Sequence, residues 1–202
     1  MDVYEAVQQR KSIRAYQDKP VPREKLERIL EAGRLAPSAA NIEPWHFIVV
    51  TDKEKRKALS KGLYAKFLPQ TPVVIVVCGD KKASPDWYAV DSSLAVENMV
   101  LTAVNEGLGT CCVGSFDEAD VKAALKVPDN LEVLVMIAVG YPKEKLDLTS
   151  KLLRTVRKRK NLSEVTSGEE YGKRFVPRKT SNHKFLSLIC PSFECHSASS
   201  NG

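Results

Sequence analysis

The sequence predicts an α/β or α+β fold built around a central sheet. A continuous apolar run at 72–78 and a largely apolar segment at 131–140 are typical of strands that are buried in the sheet. Between them, residues 88–106 predict one long helix, because Ala95, Met99 and Ala103 recur every four positions and apolar residues also occupy neighbouring rows. This alternation of strands and helices along the chain defines the predicted class.

The remaining elements follow in chain order. Helices are predicted at about 2–9 and at 22–36, the second with Pro22 near its start and Pro37 at its end. Aromatic and β-branched residues without a helical period predict a strand at 45–52. The other predicted elements are an exposed helix at 53–62, a short strand around Val113 and a helix at 117–125 that ends before Pro128.

Size and composition limit the possible classes of protein. A chain of 202 residues with 43% hydrophobic and 28% charged residues is most simply one soluble domain with a substantial core. No apolar run reaches the length of about 18 residues that a membrane span needs, and the first twelve residues lack the apolar centre of a secretion signal. Five cysteines, an odd number with two adjacent, favour reduced thiols in the cytoplasm over a disulfide framework.

The net charge of +6 is concentrated late in the chain. Residues 151–184 carry 11 basic and 3 acidic side chains, whereas residues 1–150 and 185–202 each carry a net charge of −1. A solvated basic surface is one interpretation of this segment. A phosphate-bearing ligand or a nucleic acid is the alternative.

The composition changes at about residue 178, after which six serines fall among the last 25 residues. We therefore predict one domain at 1–177 and a weakly ordered tail at 178–202. Cys190, Cys195 and His196 have a spacing compatible with zinc, but a serine-rich tail is a poor setting for a folded metal site. We accordingly predict no metal centre.

Three cations and a hydroxyl lie close together at Arg10, Lys11, Ser12 and Arg14. In an extended segment, residues 10, 12 and 14 point to one side. Two guanidinium groups and a hydroxyl on a common face suit a phosphate ester or another anion. A cluster of surface charges is the alternative interpretation.

The segment 36–45 predicts a fixed, close-fitting loop, since it combines small residues with Pro37 and Pro44. Asn41 offers both a hydrogen-bond donor and an acceptor, which together can recognise the edge of a heterocycle. Alternatively, the loop only ends the preceding helix and places Trp45 in the core.

A glycine-rich turn is predicted at 107–115, where three glycines allow the backbone to approach a flat or anionic ligand. The turn follows a helix and lacks a Gly-Lys-Ser/Thr ending, so it is neither a dinucleotide fingerprint nor a phosphate loop. Cys111 and Cys112 are more typical of small hydrophobic residues than of a catalytic thiol pair. No Ser-His-Asp arrangement is supported.

Taken together and in this order, these segments resemble the FMN-dependent nitroreductase family over most of residues 1–165. Residues 10–14 are similar to its Arg-Arg-Ser-Ile-Arg signature, and residues 36–45 to its Ala-Pro-Ser-x-x-Asn-x-Gln-Pro-Trp loop. Glu43 departs from the usual Gln, and Asn161 replaces a common proline. Further similar segments are 97–99, 107–111, 140–142 and 157–165.

The resemblance implies an α+β three-layer sandwich with a central mixed sheet, in a homodimer that binds FMN at the subunit interface. Arg14 is then the candidate for tuning the flavin electrostatically, and no catalytic side chain is required because the flavin carries the chemistry. The implied FMN contacts come from Arg10, Lys11, Ser12 and Arg14 of one subunit, with Arg157 and Arg159 near the phosphate, and from Pro37, Ser38, Ala39 and Asn41 of the other. Gly114 and Ser115 would lie against the isoalloxazine ring near N5.

We therefore predict an NAD(P)H-dependent FMN oxidoreductase that reduces nitroaromatic, quinone or similar acceptors. Other flavin reactions of the same family, such as dehalogenation or flavin breakdown, are alternatives, and so is a non-catalytic flavin-binding protein. A nucleic-acid-binding module is a third possibility, although the basic segment 151–184 lacks the interleaved aromatic residues typical of such surfaces. We predict neither a nucleic-acid partner nor a membrane partner.

Overall fold

A computed structural model describes residues 1–143 and 159–176 of the chain. The chain divides into two units, Met1–Arg157 and Lys158–Gly202. The predicted boundary between a domain at 1–177 and a tail at 178–202 lies outside the described residues and stays a prediction. The same holds for the cysteines and the histidine considered for zinc.

Residues 1–143 of the first unit contain a four-stranded sheet formed by β1 (Trp45–Val50), β2 (Val73–Asp80), β3 (Gly109–Val113) and β4 (Leu131–Gly140). The strands lie in the order β1-β2-β4-β3, and every neighbouring pair is antiparallel. Within the described residues, parallel pairing is limited to an isolated bridge between Ser12 and Thr110. The predicted α+β class is confirmed. The predicted mixed sheet is an antiparallel sheet whose one parallel contact in this part of the chain is that bridge.

In the part of the chain that the structure describes, five α-helices accompany the sheet: α1 (Val3–Gln9), α2 (Arg23–Arg34), α3 (Lys53–Ala58), α4 (Tyr88–Asn105) and α5 (Glu118–Leu125). Three of them begin at an aspartate whose side chain accepts a main-chain N–H of the first turn, which is the usual N-cap arrangement. These aspartates are Asp2, Asp52 and Asp117. Short 3₁₀ turns lie at Ala39–Asn41, Leu68–Gln70 and Leu162–Glu164, the last in the second unit.

Helices cover both faces of the sheet, so the first unit has three layers. On one face, Ile29 of α2 and Met99 of α4 pack with Ile75 and Ile137. On the other face, Val121 of α5 joins a cluster with Leu59, Leu68, Val74, Val76 and Met136. Seven of the eight residues of β2 are buried, as its continuous apolar sequence predicted.

Two predicted elements differ from the structure. The helix expected at 53–62 ends at Ala58, because Leu59 turns into the core and is only 2% exposed. The predicted glycine turn at 107–115 is mostly strand β3, and within it Gly107 has the left-handed conformation with φ of 73°. In the described residues, no helix is long and apolar enough to cross a membrane.

Candidate functional site

The cationic segment at 10–14 is extended and runs beside the edge strand β3. The Ile13 N–H donates to the Thr110 carbonyl at 2.8 Å, and Ser12 forms the parallel bridge with Thr110. The contact is close because a Cβ on Gly109 would lie 2.6 Å from the Ile13 side chain. Gly109 therefore admits a neighbouring segment of the chain, whereas the sequence had suggested a ligand.

The basic side chains of this segment differ in exposure. Arg10, Ser12 and Arg14 are half-buried, whereas Lys11 is exposed. Ile13 lies partly buried against the core cluster that contains Tyr16. The half-buried arginines are better placed than the exposed Lys11 to bind an anion, since partial burial reduces screening by water.

Tyr16 fixes the end of the same segment. Its hydroxyl donates to the Ile13 carbonyl at 2.6 Å, and its ring stacks on Phe67 with centroids 6.3 Å apart. Burial raises the pKa of Tyr16 well above its usual range, and the nearby charge of Arg14 opposes this only in part. The phenol therefore stays protonated and remains a hydrogen-bond donor throughout the physiological pH range.

The Gly114–Ser115 turn follows the end of β3. Gly114 is exposed, and a Cβ built on it would meet nothing within 4 Å. Ser115 is contacted by the loop at 62–64, where the Tyr64 N–H points at the Ser115 hydroxyl oxygen at 3.5 Å. The turn is thus supported at Ser115 and open at Gly114.

Cys112 is an exposed thiol on β3, at the position after the buried Cys111. Desolvation raises the pKa of the Cys112 thiol to about 11, and the positive charge of Arg10 offsets this only slightly. Because the thiol is protonated near neutral pH, Cys112 is a poor nucleophile there. A high thiol pKa does not favour a catalytic thiol pair, but only the buried Cys111 fits the interpretation as a small packing residue.

The loop at 37–43 is held closed by its own hydrogen bonds. The Ser38 hydroxyl oxygen accepts the Glu43 N–H at 3.0 Å, and the Asn41 N–H donates to the Ser38 carbonyl at 3.1 Å. The Asn41 side-chain amide donates to the Glu43 carboxylate at 3.2 Å. Glu43 stands where the FMN-dependent nitroreductase family usually has Gln. Its side chain faces Asn41, and the residue is exposed.

This loop has an unusual backbone. Ala40, Asn41 and Glu43 all have left-handed conformations, with φ of 50°, 55° and 53°. From outside the loop, the buried side chain of Asp91 in α4 accepts the Ala39 N–H at 3.2 Å. A groove of about 310 Å³ lies beside this contact and is lined by Pro37, Ser38, Ala39, Trp87, Val90, Asp91 and Leu94.

The predicted site residues thus form two groups in the first unit. Arg10, Lys11, Ser12, Arg14, Gly114 and Ser115 lie along β3, at one edge of the sheet. Pro37, Ser38, Ala39 and Asn41 precede β1, the strand at the opposite edge. Three strand spacings of about 4.8 Å lie between those edges. The two groups are therefore far apart within a single chain.

The two late arginines, Arg157 and Arg159, are not assigned to either of these groups. Arg157 lies outside the described residues, as does most of the basic run at 154–160. Arg159 is exposed and belongs to the second unit.

Three residues that bear on the site were not singled out by the sequence analysis. Tyr16 stacks on Phe67, and Gly62 packs against the Ser115 carbonyl. Both contacts join residues distant in the chain, for which a single sequence carries no signal. Asp91 did carry one, because it is an acidic residue near the start of a helix whose other faces are largely apolar.

The chain is similar to known proteins in both sequence and fold. The sequence profile described as "Nitroreductase family" matches residues 7–64 and 59–141. A protein of Archaeoglobus fulgidus, provisionally named NADH dehydrogenase/NAD(P)H nitroreductase, is 40% identical over 146 residues, which cover 68% of this chain and 84% of that protein.

Two solved structures are similar in both sequence and fold. A protein of Parabacteroides distasonis with the same provisional name superimposes with a TM-score of 0.73 at 33% identity, covering 84% of this chain and 98% of that one. An FMN-dependent nitroreductase of Clostridium difficile has a TM-score of 0.64 at 33% identity, covering 77% of this chain and 98% of that one.

Proposed function

Because the chain belongs to the nitroreductase family, we propose that it is an NAD(P)H-dependent FMN oxidoreductase. When bound, FMN would supply the hydride and electron chemistry that links NAD(P)H to an organic acceptor. Nitroaromatic compounds and quinones are the proposed acceptors. A cytoplasmic location, which the odd number of cysteines favours, is part of the proposal.

The observation that carries this proposal is the combination, along β3, of a half-buried cationic segment with an open glycine backbone. A phosphate monoester carries a charge of about −1.5 to −2 near neutral pH. Arginine side chains neutralise such a group through paired hydrogen bonds, and partial burial strengthens that interaction. The donors along β3 therefore suit a ligand that joins a phosphate to a flat ring.

Each group in this half of the site would have its own task. Arg10 and Ser12 would bind and orient the cofactor. Arg14 would hold a positive charge beside the ring and so stabilise the negative charge that reduction adds. A main-chain N–H of the Gly114–Ser115 turn would donate a hydrogen bond to the ring edge, where the missing side chain of Gly114 leaves room.

A second copy of the chain would complete each site. The separation of the two residue groups at opposite sheet edges supports this, because Pro37, Ser38, Ala39 and Asn41 would then be supplied by the partner. The groove beside Ala39 also supports a homodimer, because its exposed apolar side chains Trp87, Val90 and Leu94 lie next to the loop that would reach the partner's site.

The purified protein tests the proposal directly. We expect it to show the visible absorption of an oxidised flavin, either as isolated or after addition of FMN, and anaerobic NADH or NADPH to bleach that absorption. A panel of nitroaromatics, quinones and halogenated phenols then identifies the acceptor class. Protein that stays colourless with added FMN would contradict the proposal, and bound flavin that neither nucleotide reduces would favour the non-catalytic alternative.

A further inference from the structure

Asp91 is a buried carboxyl group to which the proposed chemistry gives no role. Its side chain lies in the first turn of α4, and the residue is only 3% exposed. Burying a carboxyl group is unfavourable unless it is paired or hydrogen-bonded. The start of α4 offers partial compensation through the helix dipole, and the hydrogen bond from the Ala39 N–H offers more.

The loop that donates this hydrogen bond, through the Ala39 N–H, is strained. A left-handed conformation costs a non-glycine residue about 1 kcal/mol or more, and Ala40, Asn41 and Glu43 all adopt one. A backbone of this kind persists only where surrounding contacts hold it in place. The hydrogen bonds around Ser38 close the loop on itself, but they do not attach it to the rest of the protein.

Attachment comes from α4. Across 1–143 and 159–176, the hydrogen bond that joins residues 37–43 to another helix or strand is the one between Ala39 and Asp91. Asp91 itself is well fixed, because its own N–H donates to the Trp87 carbonyl at 2.9 Å and its neighbour Ser92 is fully buried. The rigid helix α4 thus holds the strained loop in place through Asp91.

We propose that Asp91 is a positioning residue that holds the 37–43 loop in the conformation in which it contacts the cofactor. The proposal rests on the proposed function, since that function makes Pro37, Ser38, Ala39 and Asn41 contact FMN across the subunit interface. Asp91 touches neither cofactor nor substrate in this scheme. It acts through the Ala39 N–H.

Hydrogen–deuterium exchange of the flavin-free protein tests the attachment without depending on FMN. In Asp91→Ala, amide exchange should rise at least about tenfold within 37–43 and stay unchanged in β2 and β4. Asp91→Asn keeps an acceptor oxygen and should restore most of the protection. Ser92→Ala, a buried change one residue away whose hydroxyl has no hydrogen-bond partner among the described residues, is the matched control and should leave the loop unaffected.

Ala39→Pro removes the donor from the other end of the same hydrogen bond. Proline is suited to the first residue of a 3₁₀ turn that follows an extended residue, and Ser38 has φ −142° and ψ 156°. If both variants act through one bond, the double variant should raise exchange in the loop no further than the stronger single variant does. If Asp91→Ala loosens the whole protein, Ala39→Pro still tests the attachment of the loop by itself.

Titration with FMN supplies the second measurement. The dissociation constant should rise roughly tenfold to a hundredfold in Asp91→Ala and return towards the wild-type value in Asp91→Asn. Loop exchange that is unchanged in both Asp91→Ala and Ala39→Pro, or fully additive in the double variant, would overturn the role of Asp91. A wild-type protein that binds no FMN, with the exchange results as expected, would instead overturn the proposed function alone.

Discussion

Gly62 lies directly against the main-chain carbonyl of Ser115, so that a Cβ on Gly62 would lie 1.6 Å from that oxygen. No side chain fits at position 62 unless the Gly114–Ser115 turn moves. The loop after α3 therefore helps to set the position of a turn that the proposed function assigns to the flavin.

Gly62→Ala should consequently reduce both stability and flavin binding. We expect a loss of about 1–3 kcal/mol in the free energy of unfolding, the usual range for overpacking. Gly114→Ala is the matched control, because its Cβ would meet nothing within 4 Å, and it should change stability by about 0.5 kcal/mol or less. Urea denaturation measures both variants, and equal losses would contradict the role of the Gly62 contact.

Tyr16→Phe should loosen the cationic segment. The change removes the hydroxyl that donates to the partly buried Ile13 carbonyl. Loss of this hydrogen bond should lower the free energy of unfolding by about 1–3 kcal/mol. Tyr141→Phe is the control, since the Tyr141 hydroxyl makes no hydrogen bond among the described residues and its ring lies under Lys19. If urea denaturation shows equal losses of stability in the two variants, the Tyr16 hydrogen bond does not stabilise the protein.

Arg14→Gln should make the bound flavin harder to reduce. Loss of a cation that stabilises the reduced ring by about 1.5–3 kcal/mol corresponds to a midpoint potential roughly 30–60 mV more negative for a two-electron couple. Arg14→Lys keeps the charge and should recover much of the shift. Lys57→Gln, a change of an exposed cation on α3, should leave the potential at the wild-type value in a redox titration.

Cys78 should make stability depend on pH in the alkaline range. Burial raises the pKa of this fully buried thiol from 9.0 to about 11, so the unfolded chain loses the proton first as the pH rises. Stability from this group is complete below pH 9 and is lost between about pH 9 and 11, by up to about 2–3 kcal/mol. Urea denaturation at pH 8 and pH 11 should show a smaller decrease for Cys78→Ala than for the wild type, and equal decreases would contradict the assignment.

The sequence was most informative where local pattern and burial agree. The apolar runs of β2 and β4 and the four-residue repeat of α4 predicted three elements to within two residues at each end. These elements lie in the middle of the fold, where a continuous apolar sequence has few other possible structures.

Prediction failed where long-range contacts decide the local structure. The short strand predicted around Val113 is confirmed as β3, but its pairing with β4 extends it back to Gly109, so most of the predicted ligand-binding turn is a strand. The left-handed residues at 40, 41 and 43 include no glycine, so nothing in the sequence indicated their conformation. Their geometry depends on Asp91, which belongs to a helix that follows much later in the chain.

The extended segment at 10–16 also covers the outer edge of β3 through the bridge at Ser12. A chain shortened to begin after residue 16 would expose the unpaired N–H and C=O groups of Gly109–Val113, a strand without charged residues. Bare edges of this kind recruit strands from neighbouring molecules. The N-terminus therefore also protects against aggregation, and engineered truncations should keep it intact.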